Sequence, residues 1–150
     1  MAYDGITLAD AIVSEVNAAG VGTFGETFTA VREWFDETDT ATTGLTVKVI
    51  PDESREERVT KGAGGMWRVE FDVLIVVQKE ITANTNAEAD AVHALLSKLR
   101  DYYKSHEVSG QHAGLMRVAM QSPKRSFIKN HRRAYGFVRL TFLGHRTPTV

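Results

Sequence analysis

The longest alternation of apolar and polar residues, from Met66 to Lys79, constrains the fold more than any other segment. One face of this segment is entirely apolar and consists of Trp67, Val69, Phe71, Val73, Ile75 and Val77. A period of two predicts a β-strand. The opposite face changes from charged side chains to Leu74 and Val76, so the second half of the strand needs cover on both faces. Fourteen residues extend over about 45 Å, and part of the strand is therefore expected to reach beyond the core.

The remaining periodic segments predict an α+β fold. Two segments have apolar residues at helical spacing, at 7–19 before a Gly-Val-Gly stop and at 85–104 after a capping box. Four further strands are predicted at Phe28–Phe35, Leu45–Ile50, Leu115–Met120 and Tyr135–Leu143. We expect a mostly antiparallel β-sheet of about four to five strands with two α-helices packed on one face, plus an extended β-hairpin arm.

The length of 150 residues predicts a single domain, 1–150. Pro51 is expected to end the second strand, and an arm or loop of mixed charge is expected at about 52–66. We expect this segment to be disordered in the isolated protein and to become ordered on assembly. A short flexible tail is expected at about 145–150.

Acidic and basic residues are concentrated at opposite ends of a chain whose net charge is −1. The first 45 residues include eight acidic residues and one basic residue, whereas residues 111–150 include eight basic residues and no acidic one. This distribution has three interpretations. The basic tail could fold back on the acidic head, it could bind nucleic acid, or copies could pair head to tail. The last is a heterologous contact, which builds rings or filaments.

The sequence contains no pattern typical of catalysis or metal binding. It has no cysteine, which excludes disulfides and thiolate chemistry and fits a reducing compartment. The nearest histidine pair, His106 and His112, has no flanking metal-site motif, and no serine lies in a GxSxG elbow. The glycines at 62–65 precede a strand, whereas a phosphate-binding loop precedes a helix. We therefore predict a non-enzymatic protein with no catalytic residue, no cofactor and no metal ion.

A membrane partner is not expected either. No apolar run approaches the roughly 18 residues needed to cross a bilayer. The N-terminal segment is acidic, with too short an apolar run for a signal peptide.

The order of these elements, with several short strings, resembles the tail terminator and neck (tail-completion) proteins of long-tailed bacteriophages. The strings are LADAIV in the first helix, GLTVKVIP in the second strand, WRVEFDV and VQKE in the long strand, and the closing strand pair with Ser126-Phe127 and Arg133 to Phe142. The match covers nearly the whole chain as a pattern of elements and includes no invariant motif.

This resemblance implies a structural virion protein that forms a ring, typically a hexamer, around a channel that passes DNA. Such a protein caps the tail tube, stops its polymerisation and provides the joint to the head. Its partners would be other copies of itself, the tail tube protein, a head-completion or connector protein, and DNA crossing the channel without sequence-specific binding. It would reside in the tail or neck of the virion after assembly in the host cytoplasm.

Two segments are candidates for partner contacts. The subunit or tube interface is predicted to use charged residues of the arm segment and the doubly apolar half of the long strand: Arg55, Glu56, Glu57, Arg58, Lys61, Leu74 and Val76. A basic segment on a strand-to-strand connection is predicted to contact a partner through Lys124, Arg125, Lys129, Arg132 and Arg133. The alternatives are a head–tail connector or head-closure protein and, more distantly, a nucleic-acid-binding regulatory protein.

Overall fold

The computed structural model describes residues 5–34, 44–60, 65–82, 85–106, 108 and 114–146. Its elements, in chain order, are α1 (Gly5–Phe24), β1 (Ala30–Arg32), β2 (Thr46–Arg58), β3 (Trp67–Glu80), α2 (Thr85–Ser105), β4 (Gly114–Gln121), α3 (Arg125–His131) and β5 (Arg133–Arg146). The strands form one sheet in the order β1-β2-β3-β5-β4, in which β1 is parallel to β2 and the other pairs are antiparallel. The predicted α+β class and mostly antiparallel sheet are confirmed.

The long alternating segment is the central strand β3. It pairs with β2 on one side and with β5 on the other, and the pairing with β5 runs its full length, from Trp67–Arg146 to Glu80–Arg133. Its odd-numbered residues from Val69 to Val77 are buried in the main core. The helices α1 and α2 pack on this face, with α1 mainly over β1 and β2 and α2 mainly over β5 and β4. The helices contribute buried side chains to this core: Leu8, Ala9, Ile12, Val16 and Phe24 from α1 and Val92, Leu95, Leu96, Leu99 and Tyr103 from α2.

The sequence predicted that the second strand ends at Pro51, and this prediction is wrong, because β2 continues to Arg58. Proline lacks an N–H donor and is tolerated where the strand edge is unpaired. The described pairing of β1 with β2 ends at Val49, so Pro51 lies just past the last residue of β2 that pairs with β1. Residues 52–58 are therefore strand and not loop, and they pair with Trp67–Phe71 of β3, which β5 flanks on its other side. We call residues 52–58 and 67–71 together the ribbon.

A β-bulge separates the ribbon from the core part of the sheet. Pro51 pairs with Val73 and Ser54 pairs with Phe71, so Asp52 and Glu53 together oppose the single residue Asp72. An extra residue of this kind bends a strand and re-aims the segment beyond it.

Three other boundaries differ from the sequence-based expectation. The first strand is only three residues long, Ala30–Arg32, and is parallel to its neighbour. The first helix has a non-helical residue at Gly20, the predicted stop, but resumes and runs to Phe24. The basic connection before β5 contains a third helix, α3, which has only seven residues and no side-chain N-cap.

Gly20 is a position where a side chain should be costly. Its backbone (φ 65°, ψ −165°) lies in a region that L-residues rarely adopt, although no atom lies within 4 Å of an added Cβ. Gly20→Ala should therefore lower the free energy of unfolding by about 1–2 kcal/mol through backbone strain alone. Gly22→Ala is the matched control, because its site is equally open without the positive φ. Urea unfolding of both variants measures the difference, and equal stabilities would contradict the strain argument.

Candidate functional site

A charged cluster lies at the root of the ribbon, on the sheet face opposite α1 and α2. At its centre the carboxylate of Asp72 is only 4% exposed. Arg55 donates to it from both terminal nitrogens at 3.2 Å, Arg139 donates at 3.0 Å, and the hydroxyl of Thr141 donates at 2.9 Å. These donors come from β2 and β5 on either side of β3, so one buried carboxylate joins three strands where the bulge bends the sheet.

Burial alone would raise the pKa of Asp72. The hydrogen bonds from Arg55, Thr141 and Arg139 outweigh this and hold the pKa below its ordinary value. A lowered pKa keeps the carboxylate ionised at neutral pH, which suits a structural anchor and not a general acid.

The cluster extends outward along the ribbon through exposed ion pairs. Arg55 also contacts Glu70 at 3.2 Å, and Arg68 contacts the other oxygen of Glu70 at 3.0 Å. Arg139 reaches back across the bulge to Asp52 at 3.0 Å. A shallow cavity of about 190 Å³ beside these pairs is lined by Arg55, Glu56, Glu57, Arg68 and Glu70.

The candidate interface residues from the sequence separate into three groups. Arg55, Glu56, Glu57 and Arg58 are exposed on β2 in the ribbon, and Lys61 lies outside the described residues. Leu74 is half-buried. Val76 is fully buried within the chain, between Lys48 and Phe137 in register, so its assignment to a subunit contact is corrected. At Val76, therefore, the second half of β3 is buried by other residues of the same chain and needs no second subunit.

The basic candidates lie on and around α3. Lys124, Arg125, Lys129 and Arg132 are exposed. Arg132 ends the helix in the left-handed conformation (φ 53°), and its N–H donates to the carbonyl of Ile128. Arg133 is only 3% exposed, so its assignment to a partner contact is also corrected.

The uneven charge along the chain becomes a spatial separation across the sheet. Of the acidic residues in the first 45, those that the structure describes lie in α1 (Asp10 and Glu15) and on either side of β1 (Glu26 and Glu33), at one edge of the sheet. The basic C-terminal part forms β4, α3 and β5 at the other end. Arg139 in β5 binds Asp52 and Asp72 of the middle strands. The arrangement favours opposite charges at two ends of one molecule over a tail folded back on the head.

The sequence reading missed a groove at the acidic end, about 310 Å³ in volume, between the start of α1 and the bulge. Its floor and wall include exposed apolar side chains, Trp34 at 56% and Ile6 at 39%. Acidic residues of β2, among them Asp52 and Glu53, line the other side. Trp34 is the one residue of this groove that the sequence could have indicated. The sequence predicts a strand that includes Trp34, whereas β1 ends at Arg32 and leaves the Trp34 side chain exposed.

Across the described parts of the chain, no group of three or more His, Cys, Asp or Glu residues is arranged to hold a metal ion. His106 stacks on Tyr102, with ring centroids 4.2 Å apart, and His112 lies outside the described residues. None of the helices that the structure describes is long and apolar enough to cross a membrane.

Comparison with known proteins found no matching family model and no matching curated protein. One solved structure that matches is the sheath/tube terminator of an extracellular contractile injection system, PVC, determined by cryo-EM in the extended state. The two chains are 16% identical and superpose with a TM-score of 0.48. The match covers 93% of this chain and 60% of the other, so this chain spans less than two thirds of that protein.

Proposed function

We propose that the chain is a structural virion subunit, a ring-forming tail terminator that caps a tail tube, stops its polymerisation and joins it to the head. The observation that carries the proposal is the separation of charge across one sheet, with an acidic edge at α1 and the ribbon and a basic end at β4 and α3. Two different, complementary surfaces on one subunit support heterologous contacts, which build a ring where the rotation between neighbours closes and a filament where it does not. The choice of a ring follows the family resemblance of the sequence.

The ribbon adds a second line of support. Its β2 half, residues 52–58, continues beyond the bulge and displays exposed charged side chains, and Asp72 with its three donors holds β2 to β3 and β5 at the bulge. A surface built in this way suits contact with another protein, because its orientation is determined before binding. We assign the ribbon to contacts with the neighbouring subunit or the tube protein, and the apolar groove beside Trp34 to the same partner surface.

Electron microscopy and native mass spectrometry of the purified protein, alone and with its tube protein, test the proposal. We expect closed rings, with six subunits as the sequence resemblance implies. Raising salt from about 0.05 to 0.5 M should weaken the assembly, because exposed charges are screened over this range. A protein that stays monomeric with the tube protein present would refute the terminator function. Co-purification with portal-side proteins instead of the tube protein would identify the connector alternative.

The four exposed cations around α3 favour one second candidate, contact with nucleic acid. Each neutralised phosphate makes the affinity more sensitive to salt. Changing Lys124, Arg125 and Lys129 together to alanine should flatten the salt dependence of DNA binding if this candidate is correct. If the triple variant binds DNA as the parent does but fails to assemble, α3 contacts protein and the nucleic-acid candidate is lost.

A further inference from the structure

We propose that the exposed cations of α3 in one copy of the chain bind carboxylates on the β2 half of the ribbon in the next copy, so that copies join head to tail along the direction of the strands. The inference rests on the proposed assembly function and deepens it by naming the two surfaces in contact. Because the two surfaces are different, the contact is heterologous.

The cations around α3 differ in their counter-ions from arginines elsewhere in the chain. Five other arginines pair with a carboxylate of the same chain: Arg32, Arg55, Arg68, Arg100 and Arg139. The four cations around α3 are all exposed: Lys124, Arg125, Lys129 and Arg132. None of the four makes an ion pair with a residue within the described ranges. Charges of one sign in so short a segment create a local potential that attracts a partner of the opposite sign.

The β2 half of the ribbon carries an excess of exposed carboxylates. Residues 52–58 include four acidic and two basic residues. The Glu53 side chain is 71% exposed, and its contact with Arg55 is long, at 3.4 Å, because Arg55 also binds Glu70 and Asp72. Glu57 is exposed and makes no ion pair with a residue that the structure describes. Glu53 and Glu57 are therefore the carboxylates that can accept a cation from another molecule.

The two sets of charges extend over similar lengths. Arg125 and Lys129 are one helical turn apart, so their side chains lie on the same side of α3. From Arg125 to Arg132 at the end of the helix the backbone rises about 10 Å. From Glu53 to Glu57 the strand extends about 13 Å. A row of cations on α3 can therefore lie along a row of carboxylates on β2.

Within one chain these two surfaces cannot meet, because they lie at opposite ends of β3. Glu57 is paired in register with Arg68, near the start of β3. Arg132 lies just past the other end, where its carbonyl accepts from the N–H of Ile81 at 2.8 Å. Thirteen residues of extended chain separate Arg68 from Ile81, a distance of about 40 Å. The opposite charges can therefore pair only between molecules.

Charge complementarity selects a second copy as the occupant of α3. Contact between two α3 helices would bring cations together, and contact between two ribbons would bring carboxylates together, whereas contact between α3 and a ribbon joins opposite charges. DNA is the other polyanion that α3 could bind, but DNA would leave the carboxylates at the ribbon end of the molecule without cations. A second copy pairs both ends of each molecule.

Two double charge reversals test the contact by complementation. The first variant is Arg125→Glu with Lys129→Glu, and the second is Glu53→Lys with Glu57→Lys. In each variant alone, like charges face each other across the contact, so association measured by native mass spectrometry should be at least about tenfold weaker than in the parent. An equimolar mixture should associate as the parent does, because the acidic α3 of the first variant then meets the basic ribbon of the second, and the unaltered α3 and ribbon still match.

Lys104→Glu is the matched control, because Lys104 is an exposed lysine in the last turn of α2, as Lys129 is in the last turn of α3. It should associate as the parent does. Thermal unfolding checks that each variant is folded, and the single changes Lys129→Glu and Glu57→Lys provide the same test if a double variant is not.

Three results would overturn the inference: a parent that stays monomeric, a first variant that associates as well as the parent, or two weakened variants that do not recover on mixing. If the first variant loses binding to a short DNA duplex while its association is unchanged, α3 contacts nucleic acid and the inference is also lost. Mixtures that recover but form dimers or open filaments would support the contact and refute the terminator function. Closed rings of the first variant alone would do the reverse.

Discussion

Replacing Gly136 with alanine should lower the free energy of unfolding by about 3 kcal/mol, because the site has no room for a methyl group. Gly136 lies on β5 opposite Val77 and beneath α2. An added Cβ would meet the backbone carbonyl oxygen of Gln121 at 2.5 Å and would clash with Leu96. The Leu96 side chain can rotate, but the carbonyl of Gln121 belongs to the β4–β5 ladder and cannot move without disturbing it.

Gly114→Ala is the matched control for this substitution. Gly114 lies in β4, and no atom lies within 4 Å of its added Cβ. Its stability should stay within about 0.5 kcal/mol of the parent in urea unfolding. If Gly136→Ala were as stable as Gly114→Ala, the close approach of β4, β5 and α2 at this point would be wrong.

Removing the Asp72 carboxylate should lower the free energy of unfolding by an amount similar to that of Gly136→Ala. Asp72→Ala leaves Arg55, Arg139 and Thr141 without their shared acceptor at the root of the ribbon. Loss of one partner from a buried ion pair costs about 3–5 kcal/mol. We expect about 3 kcal/mol, because the side chains of Arg55 and Arg139 are 47% and 36% exposed and can be solvated again by water. Glu53→Ala is the control, since its exposed pair with Arg55 should contribute under about 1 kcal/mol.

The pH dependence of stability distinguishes the charge of Asp72 from its shape. The pKa of Asp72 in the folded chain is lowered from 3.8. The ionised carboxylate therefore contributes fully to the free energy of unfolding at pH values above the pKa of the unfolded chain. This contribution is lost as the pH falls through the lower pKa of the folded chain. The difference in unfolding free energy between the parent and Asp72→Asn should be constant from about pH 7 to pH 5 and shrink below about pH 4. A difference that stays constant down to about pH 2 would show that the charge contributes nothing.

The elements that the sequence predicted well are those in which the buried apolar residues recur at the regular spacing of a strand or a helix. Strand β3 was predicted to within one residue at each end because its odd-numbered side chains enter one core. The helix α2 was predicted equally well, because its apolar stripe is continuous and a capping box marks its start.

The elements that the sequence missed depend on tertiary context. Helix α3 has one described apolar contact with the core, Ile128, and no capping side chain, so nothing local separates it from a basic loop. Strand β2 can continue past Pro51 because β1 ends at Arg32 and no longer pairs with β2 there. This information is not contained in the sequence of β2 itself. The candidate residues Val76 and Arg133 were misassigned for a related reason: their burial is determined by the neighbouring strands and not by their own pattern.

The charge cluster illustrates the same limit. The sequence showed alternating acids and bases in the arm segment and suggested a solvated surface, which describes Glu53, Glu56 and Glu57. It could not show that Asp72 lies opposite the bulge, within reach of one arginine from each flanking strand.

The bulge also determines where the chain can change length as its sequence diverges. Asp52 and Glu53 share one partner residue, so losing one of them would give a regular ladder with Pro51 still opposite Val73 and Arg55 still opposite Glu70. Every other side chain would keep its face of the sheet. Between Ser54 and Arg58 the ladder contains no extra residue that could be lost. A single deletion there would shift the residues beyond it by one position and move their side chains to the opposite face of the sheet. Length variation in this strand should therefore be tolerated at the bulge and selected against on either side of it.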